Sequence, residues 1–168
     1  MMLAGFAPVL STACGDASAG TIDEDAVLGE ILAFDQGGFT KVNAAPVPSA
    51  HVAARVDIWV TAASAALYLQ IDPPDYSTPV AFPEGATIVK RHFADEAATM
   101  VDGFTVMHKG PAGYAPAAND WWWARVNEDG SIVVSGDGGG ETQLCVDCHA
   151  PARGTDLVLG VDPADHAP

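Results

Sequence analysis

Cationic side chains, cysteines and long apolar runs are all scarce in this sequence, and each shortage removes a class of protein. Seven Lys and Arg stand against 22 Asp and Glu, a formal net charge of −15. A field of that sign opposes binding to nucleic acid or to an anionic membrane surface. It favours small neutral or cationic ligands and a basic protein partner, or serves solubility alone. No apolar run is long enough to cross a bilayer as a helix. Three cysteines are too few for the dense disulfide framework of a small secreted scaffold. Two of them form one C-x-x-C pair and the third, Cys14, is far away, so the four ligands of a structural zinc site are lacking. What remains is a chain of 168 residues, 49% apolar, the size of one domain and long enough to bury a core.

The C-x-x-C pair is Cys145-Val146-Asp147-Cys148, and His149 follows it directly. C-x-x-C-H reads as a c-type haem attachment site. Residues three and four apart share a helix face, so both thiols and the imidazole can address one flat ligand. The thiols Cys145 and Cys148 would meet the two haem vinyl groups. A porphyrin fills four positions around iron and His149 supplies a fifth. A thioredoxin-like redox pair is the competing reading, but it would sit early in a βαβ unit, and the chain has no βαβ pattern.

The first 20 residues suggest export. Met1 to Ala13 is apolar and small, and Leu10-Ser11-Thr12-Ala13-Cys14-Gly15 resembles the end of a bacterial lipoprotein signal, which would make Cys14 a lipidation site. The positive n-region of such signals is missing, and Ser11 stands where an aliphatic residue is commoner. Because c-type haem is attached outside the bacterial cytoplasm, the expectation is a periplasmic protein or one tethered to the outer membrane. With all three cysteines occupied, no disulfide is expected.

Beyond the tether, Thr21-Ile22-Asp23-Glu24 has the form of a capping box, and Val27, Leu28, Ile31 and Leu32 recur at helical spacing up to Gly37-Gly38. Residues 44–50, rich in Pro, Ala and Ser, read as a loop or linker, and His51 just past them as a loop or strand-edge histidine. Arg55 to Val60 alternates, with Val56, Ile58 and Val60 on one face. Thr61 can cap a short Ala-rich helix that Asp72-Pro73-Pro74-Asp75 stops. Strands follow at Ala86 to Phe93, with Ile88, Lys90 and His92 on one face, and at Gly103 to Lys109. Trp121 to Val126, the Asn127-Glu128-Asp129-Gly130 turn and Ser131 to Ser135 read as a hairpin. In that first strand Trp121 and Trp123 point one way and Trp122 the other. A lysine such as Lys90 in an apolar strand is ordinarily an edge residue with its head in solvent. Gly136 to Gly140 frees the backbone to turn into the haem helix, and an acidic tail runs from Pro151. The fold class is therefore α+β: an antiparallel sheet with an N-terminal helix, a short crossing helix and a C-terminal haem-bearing helix. That excludes the all-helical cytochrome c and the four-helix cytochrome c′.

Four blocks carry a more particular likeness: Phe82-Pro83-Glu84-Gly85-Ala86-Thr87-Ile88-Val89-Lys90; Thr105-Val106-Met107-His108-Lys109; Gly113-Tyr114 through Asn119-Asp120-Trp121-Trp122-Trp123-Ala124-Arg125; and Cys145 to His149. From about His51 to Val161 the chain resembles the cytochrome P-460 family, which includes the β-sheet type of cytochrome c′ (cytochrome c′-beta). The domain organisation that follows is a tether at 1–20, a helix and linker at 21–50, the haem domain at 51–161 and a tail at 162–168. The resemblance implies one haem c per chain, an exported homodimer, His149 on iron and an open site opposite. In members that oxidise hydroxylamine a lysine is bonded to the porphyrin rim, and Lys90 stands at the matching place; the c′-beta type lacks that bond and binds nitric oxide. Active members also use a distal carboxylate to relay protons, a role that the resemblance assigns to no particular residue of this chain. Three functions compete on these grounds. They are oxidation of hydroxylamine or nitric oxide with electrons passed to a basic redox partner, reversible nitric oxide binding, and plain electron transfer with Met107 or His108 as sixth ligand.

Overall fold

The computed structural model describes residues 20–49 and 53–168; Cys14, His51 and all but the last residue of the 1–20 tether lie outside the described residues. Helix α1 (Glu24–Leu32) starts two residues later than a capping box on Thr21 would place it. The cap is Asp23, whose carboxylate accepts from the Ala26 amide at 3.1 Å. Val27 and Ile31 form its buried side, while Leu32 is left exposed.

Among the described residues seven strands build one antiparallel sheet: β1 (Phe39–Lys41), β2 (Val47–Pro48), β3 (Arg55–Thr61), β4 (Thr87–Phe93), β5 (Val101–Lys109), β6 (Trp121–Val126) and β7 (Ile132–Gly136). Their order is β1-β3-β4-β5-β6-β7, with β2 also pairing with β3. The α+β class and the four long strands agree with the sequence reading. Two strands were not anticipated. Both β1 and β2 are very short, too short for a period-2 pattern to register, and β2 sits within the segment read as a linker, pairing Val47 with Val56 and Pro48 with Arg55. The short helix α2 (Ala65–Tyr68) follows a single 3-10 turn, and Thr61 does not cap it. Instead the Thr61 hydroxyl accepts from the Thr87 amide on β4.

Alternation along β3 to β6 divides the buried side chains between two faces. Against α1 lie Val27, Ile31 and Phe34 with Val89, Phe104, Val106, Trp122 and Val126. On the opposite face Val56, Ile58, Val60, Ile88, Met107, Trp121 and Trp123 meet Val146 of helix α3 (Gln143–His149) and the segment after it. Register sets two rows across this second face, Val60-Ile88-Met107-Trp123 and Ile58-Lys90-Thr105-Arg125. The residues after Pro151 are not a trailing tail. Ala152, Thr155, Asp156, Leu157, Val158 and Val161 are all buried, and the last residues reach back so that Ala44 donates to Asp165 and Ala167 to Val42.

Candidate haem site

Helix α3 is presented to the sheet by the glycine-rich turn that follows β7. Gly138 has φ +90°, and a Cβ there would come within 2.7 Å of both Ala118 Cβ and Val146 Cγ2. Only glycine allows that backbone so close to the helix. Thr142 locks the turn, its hydroxyl donating to the Gly139 carbonyl at 2.8 Å and accepting from the Gly138 amide at 3.0 Å. The chain then enters α3 with Val146 and His149 buried, Cys145 half-buried and Cys148 exposed.

The three residues of the motif come together as the helix geometry requires. Cys145 and His149 line a cavity of ≈ 440 Å³, mouth included, with Ile88, Lys90, Thr105 and Met107. Cys148 lines a second, wider cavity with Val56, Ile58, Tyr76 and Val161. Lys90 belongs to both. A flat apolar group joined to both thiols would therefore straddle the two cavities across the end of Lys90. Burial pushes the Cys145 thiol up.

The imidazole is fixed from behind. His149 Nδ1 lies 2.7 Å from the carbonyl oxygen of Leu157, which can only accept, so the proton is on Nδ1 and the ligating lone pair on Nε2. The edge of the ring meets Trp123, with centroids 5.0 Å apart and planes at 79°. Trp123 is thus the tryptophan that walls the site, while Trp122 faces α1.

Lys90 departs from its ordinary strand reading. Strand β4 is interior, flanked by β3 and β5, so its side chain emerges into the cavities rather than over a sheet edge. Desolvation lowers its amine pKa to about 8, against a smaller opposite pull from the Cys148 sulfur. No carboxylate pairs with it among the described residues. The two alternative sixth ligands separate. Met107 lies on the site face in the row that carries Trp123, whereas His108 faces α1 and holds Thr87 Oγ1 at 2.8 Å. Among the described residues no group of three or more His, Cys, Asp or Glu could hold a bare metal ion.

A model of the cytochrome P460 family matches residues 56–159, from the second residue of β3 to just beyond the His149 partner Leu157. The chain belongs to the cytochrome P460 family. No curated protein matches it. The family is one of haem c cytochromes, and the residues of the site suit that group: two free thiols on one helix face, a tautomer-fixed imidazole beside them, and an apolar bed. The Leu157 carbonyl was not foreseen from the sequence. A backbone acceptor eight residues past the histidine carries no side-chain signal, though the run Leu157-Val158-Leu159 was too apolar for an exposed tail.

Proposed function

We propose that this P460-family cytochrome is an exported enzyme, carrying one haem c per chain, that oxidises hydroxylamine or nitric oxide and passes the electrons to a basic redox protein. The observation that carries the proposal is the position of Lys90, whose desolvated amine stands where the cavities lined by Cys145 and by Cys148 meet. Cys145 and Cys148 would hold the haem by thioethers and His149 would bind its iron, which supplies one-electron chemistry toward small nitrogen species. An amine near neutrality is a nucleophile, so Lys90 can form a third covalent attachment. Its N–C bond would replace one N–H and one ring C–H, and the two electrons lost must pass to a two-electron oxidant such as a peroxide. Export, a lipid on Cys14 and a homodimer accompany this reading. The net charge of −15 supports a cationic partner surface.

A second reading, reversible nitric oxide binding of the c′-beta type, is favoured by a different observation. Among the described residues, those lining the Cys145 cavity, on the side where His149 stands, include no Asp or Glu, and the carboxylates of Asp162 and Asp165 line only the Cys148 cavity. Oxidation of hydroxylamine releases protons with the electrons and needs a base to receive them, whereas gas binding does not. Mass analysis of a tryptic digest separates the two. An enzyme of the first kind yields haem joined to the Cys145–Cys148 peptide and to the peptide carrying Lys90, and Lys90→Leu abolishes that link and hydroxylamine oxidation while keeping nitric oxide binding. A free Lys90 peptide from the wild type overturns the first reading. Six-coordinate low-spin ferrous spectra would overturn both in favour of electron transfer through a ligand such as Met107.

A further inference from the structure

The Leu157 carbonyl that receives the His149 proton belongs to a corner held in an uncommon conformation. Asp156 and Leu157 have φ of +61° and +63°, and both are buried. Facing them is a second corner of the same kind, Asn119 and Asp120, with φ of +52° and +59°. Lys109, the last residue of β5, ties the two together. Its Nζ donates to the Asn119 carbonyl at 2.7 Å and to the Asp156 carboxylate oxygens at 2.9 and 2.7 Å. Asp156 also accepts from Asn119 Nδ2 at 3.1 Å, from the Phe82 amide at 2.9 Å and, at its backbone oxygen, from Trp121 Nε1 at 2.7 Å. The Lys109 and Asp156 side chains are only 13% and 7% exposed.

Consecutive non-glycine residues in left-handed backbone persist only where their surroundings over-determine them. Here the bonds converge on the residue immediately before the one whose carbonyl meets the imidazole. A buried ion pair adds little net stability over well-packed apolar groups, but it admits few geometries. We infer that the Lys109–Asp156 pair is a positioning device for the axial imidazole, locking the Asp156–Leu157 corner so that the Leu157 carbonyl stays aimed at His149 Nδ1. The inference rests on the reading of His149 as the iron ligand. A fixed acceptor on Nδ1 makes Nε2 a stronger donor, which favours the oxidised metal and lowers the reduction potential.

The test uses the full-length haem-loaded protein with Asp156→Asn, since asparagine tolerates left-handed backbone and still accepts from Phe82. The expected results are a reduction potential higher than wild type and a ferrous iron–histidine stretching band at lower frequency. Asp57→Asn, which breaks a buried ion pair on the other sheet face, serves as control and should move neither quantity. Wild-type values in Asp156→Asn, or an equal shift in Asp57→Asn, overturn the inference. Where Asp156→Asn fails to load haem, Lys109→Gln takes its place, and unchanged values there overturn it equally. His149→Gly with added imidazole checks the underlying assignment: a spectrum unchanged by that substitution removes the ligand and the positioning role with it, whereas a changed one leaves the corner to be judged on its own variants.

Discussion

The two faces of the sheet are made by the same four long strands and differ in what is left unfilled. On the α1 face, Phe34 packs edge-on to Trp59 at 5.1 Å and to Phe104 at 5.7 Å, and the buried carboxylate of Asp57 is met by Lys41 at 2.7 Å and Arg91 at 2.8 Å. On the α3 face, the rows through Ile88 and Lys90 border two cavities, and the lysine amine has no carboxylate opposite it among the described residues. Both faces bury a core and an ion pair, Asp57 with Lys41 and Arg91 on one and Lys109 with Asp156 on the other. Only the α3 face also keeps space, nucleophiles and an oriented imidazole. Since a one-residue slip would exchange the faces, register in β4 to β6 is what separates stability from chemistry in this molecule.

The bluntest way to break the α3 face is at its thiols. Cys145→Ser with Cys148→Ser should abolish covalent haem completely, read as loss of the haem-staining band after acid-acetone extraction and denaturing electrophoresis, because only thioethers survive unfolding. A band that persists would show that the motif does not attach the group. The folded apo-protein should still form, because the core against α1 uses neither cysteine.

Phe34→Ala probes the other face. Removing a ring that is 4% exposed and touches two aromatic neighbours should cost about 3–5 kcal/mol by urea unfolding. The haem absorption spectrum of the folded fraction should be that of the wild type; a shifted Soret band would mean that the faces communicate more than their separate packing implies. A sharper comparison lies within two adjacent residues of β6. Trp122→Phe and Trp123→Phe are the same chemical change on opposite faces, each at a side chain almost fully buried, and each should cost about 2–3 kcal/mol. Only Trp123→Phe should alter the iron–histidine band, since only that ring meets His149.

Most of this division was legible in the chain. The period-2 pattern of Val56-Ile58-Val60 and the split of Trp121 and Trp123 from Trp122 gave the faces, and Cys145, Cys148 and His149 gave the haem helix, because both signals are local. What escaped is non-local. Strands β1 and β2 are two or three residues long and owe their existence to pairing with β3. Lys90 read as an edge residue because strand order is not written in any one strand, and β4 proved interior. The burial of Asp156 and Leu157 depends on Lys109 and Asn119, distant in sequence, and a carboxylate followed by apolar residues near a chain end resembles a solvated tail.

The smallest effect expected is also the one that tests the charge balance of the α1 face. Burial by itself would raise the Asp57 carboxyl, but the bonds from Lys41 and Arg91 outweigh it and hold the group below its ordinary value of 3.8. A carboxyl whose pKa is lower in the folded than in the unfolded chain stabilises the fold above the unfolded value, and that contribution is lost as pH falls through the folded one. Asp57→Asn keeps the shape and removes the titration. Because Lys41 and Arg91 remain 28% and 26% exposed and can turn to water, the loss at about pH 7 should be modest, about 1–2 kcal/mol. The gap in urea midpoint between wild type and variant should be constant above roughly pH 5 and should close as the pH is taken below 3.8. The other carboxyls titrate alike in both proteins, so they cancel from the difference. A gap as wide at about pH 3 as at neutrality would mean that Asp57 contributes through shape and neutral hydrogen bonds, not through its charge.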